Sequence, residues 1–428
     1  MTAYRLRGGL LVDPFRQVAE RADLLVADGR IADPHAPVGE VETVDVRGSW
    51  VVPRITDLHV HFRDPGQTWK EDWESGARAA AAGGVTTVGV MPNTVPVVDT
   101  EAAVAEQLRK GAGKVRVWPI AALSRASRGE EAAPWDALWR AGARAFSDDG
   151  CALYHPRLMA SALAWSERSG VPVIQHLEDP WLADGGMVQA GARADALGLR
   201  GQPEAAESVL AFRDVALAAE YGGRLHFAHC SVPGTLKAIA WARAEGLRVS
   251  GEATPHHLLL TDEALAVYGR NAVTKVNPPL RSKAARDAVR KAVASGLIEV
   301  MASDHAPHAR AEKAAPYEEA PFGISGIEVL VAAAVTVLGE EARLPPTAVM
   351  APLTSGPHRV VGEAFPGLVP GAPADLSVID PKARFTVDPD RFQSRGKQTP
   401  LAGITLTGRV VATMVGGRFT WRDGEVMR

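Results

Sequence analysis

Two histidines one residue apart, His59 and His61, close an apolar run in Asp57-Leu58-His59-Val60-His61-Phe62-Arg63. If that run is a strand, side chains alternate and both imidazoles point to one side, about 7 Å apart. Neutral imidazoles placed so can converge on one metal ion. The plain alternative is a pair of hydrogen-bonded histidines on a strand edge. Three more candidates end other apolar runs: His176 after Val173-Ile174-Gln175, His229 after Phe227-Ala228, and Asp304 after Val300-Met301-Ala302-Ser303. A lone strand-end histidine is more often satisfied by its neighbours. A pair on one run, one on each of two others and a terminal aspartate make a set. Phe146-Ser147-Asp148-Asp149-Gly150 adds a fifth run end. One of its aspartates reads as a turn or cap residue, and the other as an oxygen ligand able to bridge two metals.

Such a set suits hydrolysis of an amide, a poor electrophile facing a poor nucleophile. Zinc held by imidazoles brings the pKa of a bound water to about 7 and polarises the carbonyl. A carboxylate beside it can take the water's proton and pass it to the leaving nitrogen, and Asp304 is the candidate for that role. Arg63, just past the histidine pair, reads either as a surface residue or as a carboxylate clamp, since its planar fork binds carboxylates bidentately. Asn93, in Met91-Pro92-Asn93-Thr94, offers an amide to a ligand or simply makes a turn.

These residues need a scaffold that brings many strand ends together. From about residue 50 to 303, β-branched runs alternate with Ala-rich or amphipathic ones. The strand candidates are Val51–Phe62, Val85–Met91, Val115–Ala121, Ala143–Ser147, Pro172–Leu177, Leu225–His229, Arg248–Ala253 and Ile298–Ser303. Helix candidates lie between them at Lys70–Ala82, Glu204–Tyr221, Gly234–Ala244 and Ala284–Ala294. Alternation of this kind implies βαβ units and a parallel sheet. The expected fold is α/β: a (β/α)₈ TIM-like barrel, with active-site residues at the C-terminal strand ends. Residues 4–48 and 372–428 carry short alternating runs and turns instead, and read as one small β-sandwich domain built from both termini. The expected division is 1–50 with 366–428, and 51–365 for the barrel. Residues 305–325 form a long connection after the last strand, of the sort that carries function.

Bulk properties narrow the partners. The chain has 428 residues, a net charge of −3 and 46% hydrophobic residues, so a large core is available and nothing calls for nucleic acid or an anionic membrane. No charged start leads into an apolar run, so no signal peptide is expected. The longest apolar stretch, Val329 to Leu338, is too short for a span and reads as a buried helix. Two distant cysteines, Cys151 and Cys230, suit reduced thiols in the cytoplasm.

Further motifs give the set a family. Asp57–Gly66, Met91–Thr94, Asp148–Gly150, His176–Asp179, Thr254–Leu260, Asn277–Arg281, Ser303–His308 and Ala320–Ile324 resemble those of the class I dihydroorotases of the amidohydrolase superfamily, and the resemblance runs over nearly the whole chain. It implies His59, His61, His176 and His229 as zinc ligands, Asp149 as a carboxylate ligand, and Asp304 as an acid/base that also touches the metal. It implies Arg63, Asn93, Asn277, His308 and the Phe322-Gly323 backbone as the substrate site. One or two Zn²⁺ ions would be held, and the substrate would be a small ring bearing a carboxylate, dihydroorotate, or its opened form N-carbamoyl-aspartate. An aspartate transcarbamoylase and a second copy of the chain are the implied partners. The departures, Asp64 where Glu is frequent and Leu177 where Cys is frequent, touch no ligand. The rivals are an allantoinase- or hydantoinase-type cyclic amidohydrolase, which has no need of the carboxylate clamp, and an inactive relative docking a transcarbamoylase, which predicts an empty metal site. Trp69 and Trp73 read as packing four apart on a helix, His256 and His257 as hydrogen-bonding residues behind the site, Cys151 and Cys230 as small buried fillers, and His226 as facing away from the metal.

Overall fold

The computed structural model describes residues 3–427. Eight parallel strands form the central sheet in chain order: β1 (Thr56–Val60), β2 (Thr87–Val90), β3 (Arg116–Ala121), β4 (Ala145–Ser147), β5 (Val173–Gln175), β6 (Leu225–Phe227), β7 (Val249–Ala253) and β8 (Val300–Met301). The sheet closes on itself: Val60 bridges His305, the His61 amide donates to the His305 carbonyl at 2.8 Å, and the Asp57 carboxylate accepts from the Ser303 amide at 2.9 Å. Each expected barrel strand is present. The runs continue into residues that leave the ladder and turn toward the barrel mouth, so the paired strands are shorter than the runs.

The expected strand Val51–Phe62 is in fact two. Trp50–Pro53 pairs with residues near both termini, Leu10 and Leu11 on one side and Leu376–Ile379 on the other. Arg54 then takes a positive φ of 38° and breaks the strand, and its guanidinium ties Glu363 at 2.8 Å and Asp375 at 3.2 Å. A run buried throughout cannot display such a change of sheet in its periodicity. The terminal strands form one nine-stranded sheet with Trp50–Pro53 near its middle, folded over a core of its own that includes Leu6, Leu11, Val51, Leu376 and Met414.

Helices fill the crossovers. The candidate over 70–82 begins only at Trp73, because Asp72 caps it by accepting from the Ser75 amide at 2.8 Å. Trp69 therefore lies off the helix and 55% exposed, while Trp73 is buried edge-on against Phe62. The packing reading holds for Trp73 alone. The other candidates appear as Ala205–Tyr221, Pro233–Ala244 and Lys283–Ala294. The apolar run at 329–338 is buried and helical, with a π-helical second half over Val335–Glu341. The connection after β8 is backed by the terminal segment: Ser325 donates through its amide to Gln398 O at 2.9 Å and through its hydroxyl to Gly396 O at 2.6 Å. Gly396 lies so close that a Cβ there would meet Pro307 Cβ at 2.7 Å and the His308 backbone at 2.9 Å.

Candidate metal centre

The strand-end residues meet at the C-terminal mouth of the barrel, and two of them, His229 (φ 33°) and Asp304 (φ 47°), sit in the left-handed region with their neighbour Arg63 (φ 58°). Non-glycine residues hold that conformation only where the surroundings fix it, and such strain gathers at functional sites. Asp149 is the centre. Its Oδ2 lies 3.4 Å from His59 Nε2 and 3.5 Å from His61 Nε2, and its Oδ1 lies 3.5 Å from both His176 Nδ1 and His229 Nε2. Asp304 Oδ1 stands 3.2 Å from His61 Nε2 and 3.5 Å from His59 Nε2. Two ligands each about 2.0–2.1 Å from a tetrahedral ion stand roughly 3.4 Å apart, so this spacing is that of donors around a shared centre. His176 Nδ1 and His229 Nε2 are closer, at 2.8 Å, as a hydrogen-bonded pair. His59 Nε2 and Asp149 Oδ1 are buried without a hydrogen-bond partner. The donors gather in two groups, His59 with His61 and Asp304, and His59 with Asp149 and His229, each able to hold an ion.

Electrostatics agree with a demand for positive charge. Burial alone would raise the Asp149 pKa, yet the His59 charge and bonds from His176, His229 and His59 hold it well below the usual carboxylate range. Burial pulls His176 down, but Asp149 and Glu178 outweigh it and push it up to about 10. Asp304 is likewise held low against burial by His61, His59 and His229, so it stays ionised. Asp148, adjacent to Asp149 in the chain, instead accepts from the Leu123 and Ser124 amides at 2.9 and 3.0 Å, the work of a turn residue.

Behind the imidazoles stands a layer that fixes their tautomers. His59 Nδ1 donates to Glu252 Oε1 at 2.6 Å, His61 Nδ1 to Asn93 Oδ1 at 2.7 Å, and His176 Nε2 to Glu178 Oε2 at 3.0 Å. Glu252, fully buried on β7, also accepts from the His229 amide at 3.3 Å and from His226 Nε2 at 3.2 Å. His226 thus faces away from the centre, and its Nδ1 accepts from Ser250 Oγ at 2.8 Å. Sequence reasoning passed over Glu252 and Glu178. The signal for Glu252 was a charged residue inside a strand run, which is buried only when paired. Glu252→Gln is expected to weaken metal binding about 10- to 100-fold, read by titration against a competing chelator.

Arg63 leaves the metal side and turns to the 305–325 connection. It is 8% exposed, donates through Nε to Pro307 O at 3.3 Å, and has no carboxylate within ion-pair reach among the described residues. Burial lowers its pKa to about 10, which leaves it a cation at neutral pH. His308 Nε2 donates to Phe322 O at 2.7 Å and lies 3.3 Å from Arg63 Nη2, leaving its Nδ1 unpartnered. Gly323, at φ +120°, could carry no side chain: a Cβ would come within 2.7 Å of Ala306. Asn277 lies on the other flank, its amide nitrogen bonded to Glu178 and its oxygen 3.4 Å from Gln202 Nε2. Asn93 is committed to His61 by its oxygen, so only its amide nitrogen remains for a ligand. His257 is satisfied by Thr254 and Pro278, whereas His256 is buried with neither ring nitrogen bonded. Cys230 is a buried filler as expected; Cys151 is exposed, because it follows the Asp148-Asp149-Gly150 turn rather than a strand.

Comparison with known proteins agrees with this arrangement. A dihydro-orotase-like family model matches residues 48–233, and an amidohydrolase family model matches 187–421. A dihydroorotase of Pelotomaculum thermopropionicum is 44% identical over 98% of both chains, and one of Anaeromyxobacter dehalogenans is 42% identical over 99% of both. Among solved structures, L-hydantoinase (dihydropyrimidinase) from Arthrobacter aurescens superposes with a TM-score of 0.88 at 26% identity, over 100% of this chain and 98% of that one. A dihydropyrimidinase from Brevibacillus agri, at 21% identity and a TM-score of 0.85, shares the fold. With the clustered strand-end histidines and carboxylates and the full-length relatives in agreement, the chain belongs to the dihydroorotase family of the amidohydrolases.

Proposed function

We propose that this chain interconverts N-carbamoyl-L-aspartate and L-dihydroorotate in pyrimidine synthesis, as a metal-dependent cyclic amide hydrolase. The observation that carries the reading is Arg63: a buried guanidinium without a carboxylate partner, opening on the same mouth as the ligand cluster. Dihydroorotate brings a ring carboxylate to that position, and a hydantoin or allantoin ring has none to bring.

His59, His61, Asp149, His176, His229 and Asp304 would hold the metal. An ion bound there supplies Lewis acidity to the ring carbonyl and an acidified water. Arg63 and the unpartnered nitrogen of His308 orient the substrate, with the Asn93 amide nitrogen, Asn277 and the Phe322-Gly323 backbone lining the remainder. Asp304, ionised and at the rim, takes a proton at its carboxylate and delivers it to the ring nitrogen as the amide opens; closure runs the same transfer backwards. Zn²⁺ fits the imidazole and carboxylate donors, and Asp149, with an oxygen toward each donor group, suits two ions. The cytoplasm as the compartment, a second copy or an aspartate transcarbamoylase as partner, and a division into 1–50 with 366–428 and 51–365 belong to the same reading. No helix of the described residues is long and apolar enough to cross a membrane.

The test assays dihydroorotate hydrolysis, with hydantoin and allantoin as competing substrates, on protein of measured zinc content. Turnover of dihydroorotate that vanishes on chelation and returns with zinc is expected. Metal-loaded protein that prefers hydantoin would overturn the reading.

A further inference from the structure

The opposite, N-terminal end of the barrel holds a second concavity, about 320 Å³ in volume, whose rim carries Arg224, Arg243, Arg248 and Arg359 against a single lining carboxylate, Glu299. Arg224 and Arg248 stand side by side, because they precede the paired strands β6 and β7, where Leu225 lies opposite Val249. Like charges at neighbouring strand positions repel unless something neutralises them. Glu299 is shared between Arg243 and, at 3.6 Å, Arg359, and Arg248 reaches outward to Glu167. Arg224 has no carboxylate in reach among the described residues and donates only to the carbonyls of Arg359 at 2.9 Å and Gly170 at 3.4 Å. Its pKa is lowered by burial and by the charge of Arg248, and a bound anion would offset the second of these. Beneath the rim lie the apolar side chains of Leu225, Leu247 and Val249, with the His226–Ser250 pair beside them.

We propose that this cavity is a binding site for a small organic phosphate, its phosphate held by the arginine rim and its less polar body resting on the apolar floor. Four guanidiniums against two carboxylates, Glu299 and Glu167, leave an excess of two positive charges that suits a ligand of two negative charges, and their planar forks match phosphate oxygens. The volume falls at the lower end of small-molecule sites, which run from about 300 Å³.

The test is calorimetric titration of the metal-loaded full-length protein, at low salt, with inorganic pyrophosphate, adenosine 5′-monophosphate and succinate. Both phosphates are expected to bind, the nucleotide more tightly, and succinate at least about tenfold more weakly than either. An Arg224→Ala/Arg248→Ala variant is expected to lose at least about tenfold in nucleotide affinity, the scale of one charge-assisted hydrogen bond, with dihydroorotate turnover unchanged. Should that variant lose turnover, Arg359→Ala is read in the same way. Three results overturn the proposal: no heat with either phosphate, succinate binding as tightly as pyrophosphate, or nucleotide binding that survives these variants and disappears in Arg63→Met, which would place it in the substrate pocket.

Discussion

An Asp304→Asn protein is expected to keep its metal and lose about 10²- to 10⁴-fold of turnover in both directions, the usual share of a positioned acid/base. The side chain keeps its shape and one oxygen, so the ligand geometry around His61 and His59 survives. What disappears is the capacity to accept a proton. The backbone is held independently of that carboxylate: the Ser303 amide binds Asp57 and the His305 amide donates to Ser303 Oγ at 3.0 Å, which fixes the positive φ between them. Metal analysis beside forward and reverse assays on the same sample checks it. Because Asp304 is held below the usual carboxylate range by His61, His59 and His229, its own titration should place no acid limit on the rate near neutral pH. Near wild-type activity in the variant would remove Asp304 from the chemistry.

Arg63→Met is expected to raise KM for dihydroorotate by about 2–5 kcal/mol in binding terms, on the order of 30-fold or more, with metal content unchanged. Methionine occupies much of the same buried volume, so loss of the cation rather than a cavity dominates. A KM equal to that of the unmodified protein would dismiss the clamp. A fall in bound metal would show instead that Arg63 shapes the His61 end of β1.

The clustering of these residues was legible because a closed barrel imposes two simple rules on the chain: alternation along a strand and function at its C-terminal end. His59 and His61 obey the first, His176, His229 and Asp304 the second. Asp149 could not be told from Asp148 by pattern alone, since both follow the same strand and only the fold shows which one turns back to the Leu123 and Ser124 amides. Glu252 escaped because its partners, His59, His226 and the His229 amide, come from two other strands. Asn93 shows the reverse limit: its position was readable, but not that its oxygen is spent on His61. The break at Arg54 was hidden for a different reason, since both halves of the run are buried and apolar, one in each sheet.

The Ser394–Gln398 segment that backs Ser325 and presses Gly396 against Pro307 and His308 makes the C-terminal part of the chain a support of the candidate site. The barrel alone would expose the rear of the wall that carries His308 and Gly323. Recombination among relatives is therefore constrained: a terminal sheet exchanged between two members must travel with the barrel loop it braces, and the two segments should vary together as one inherited block.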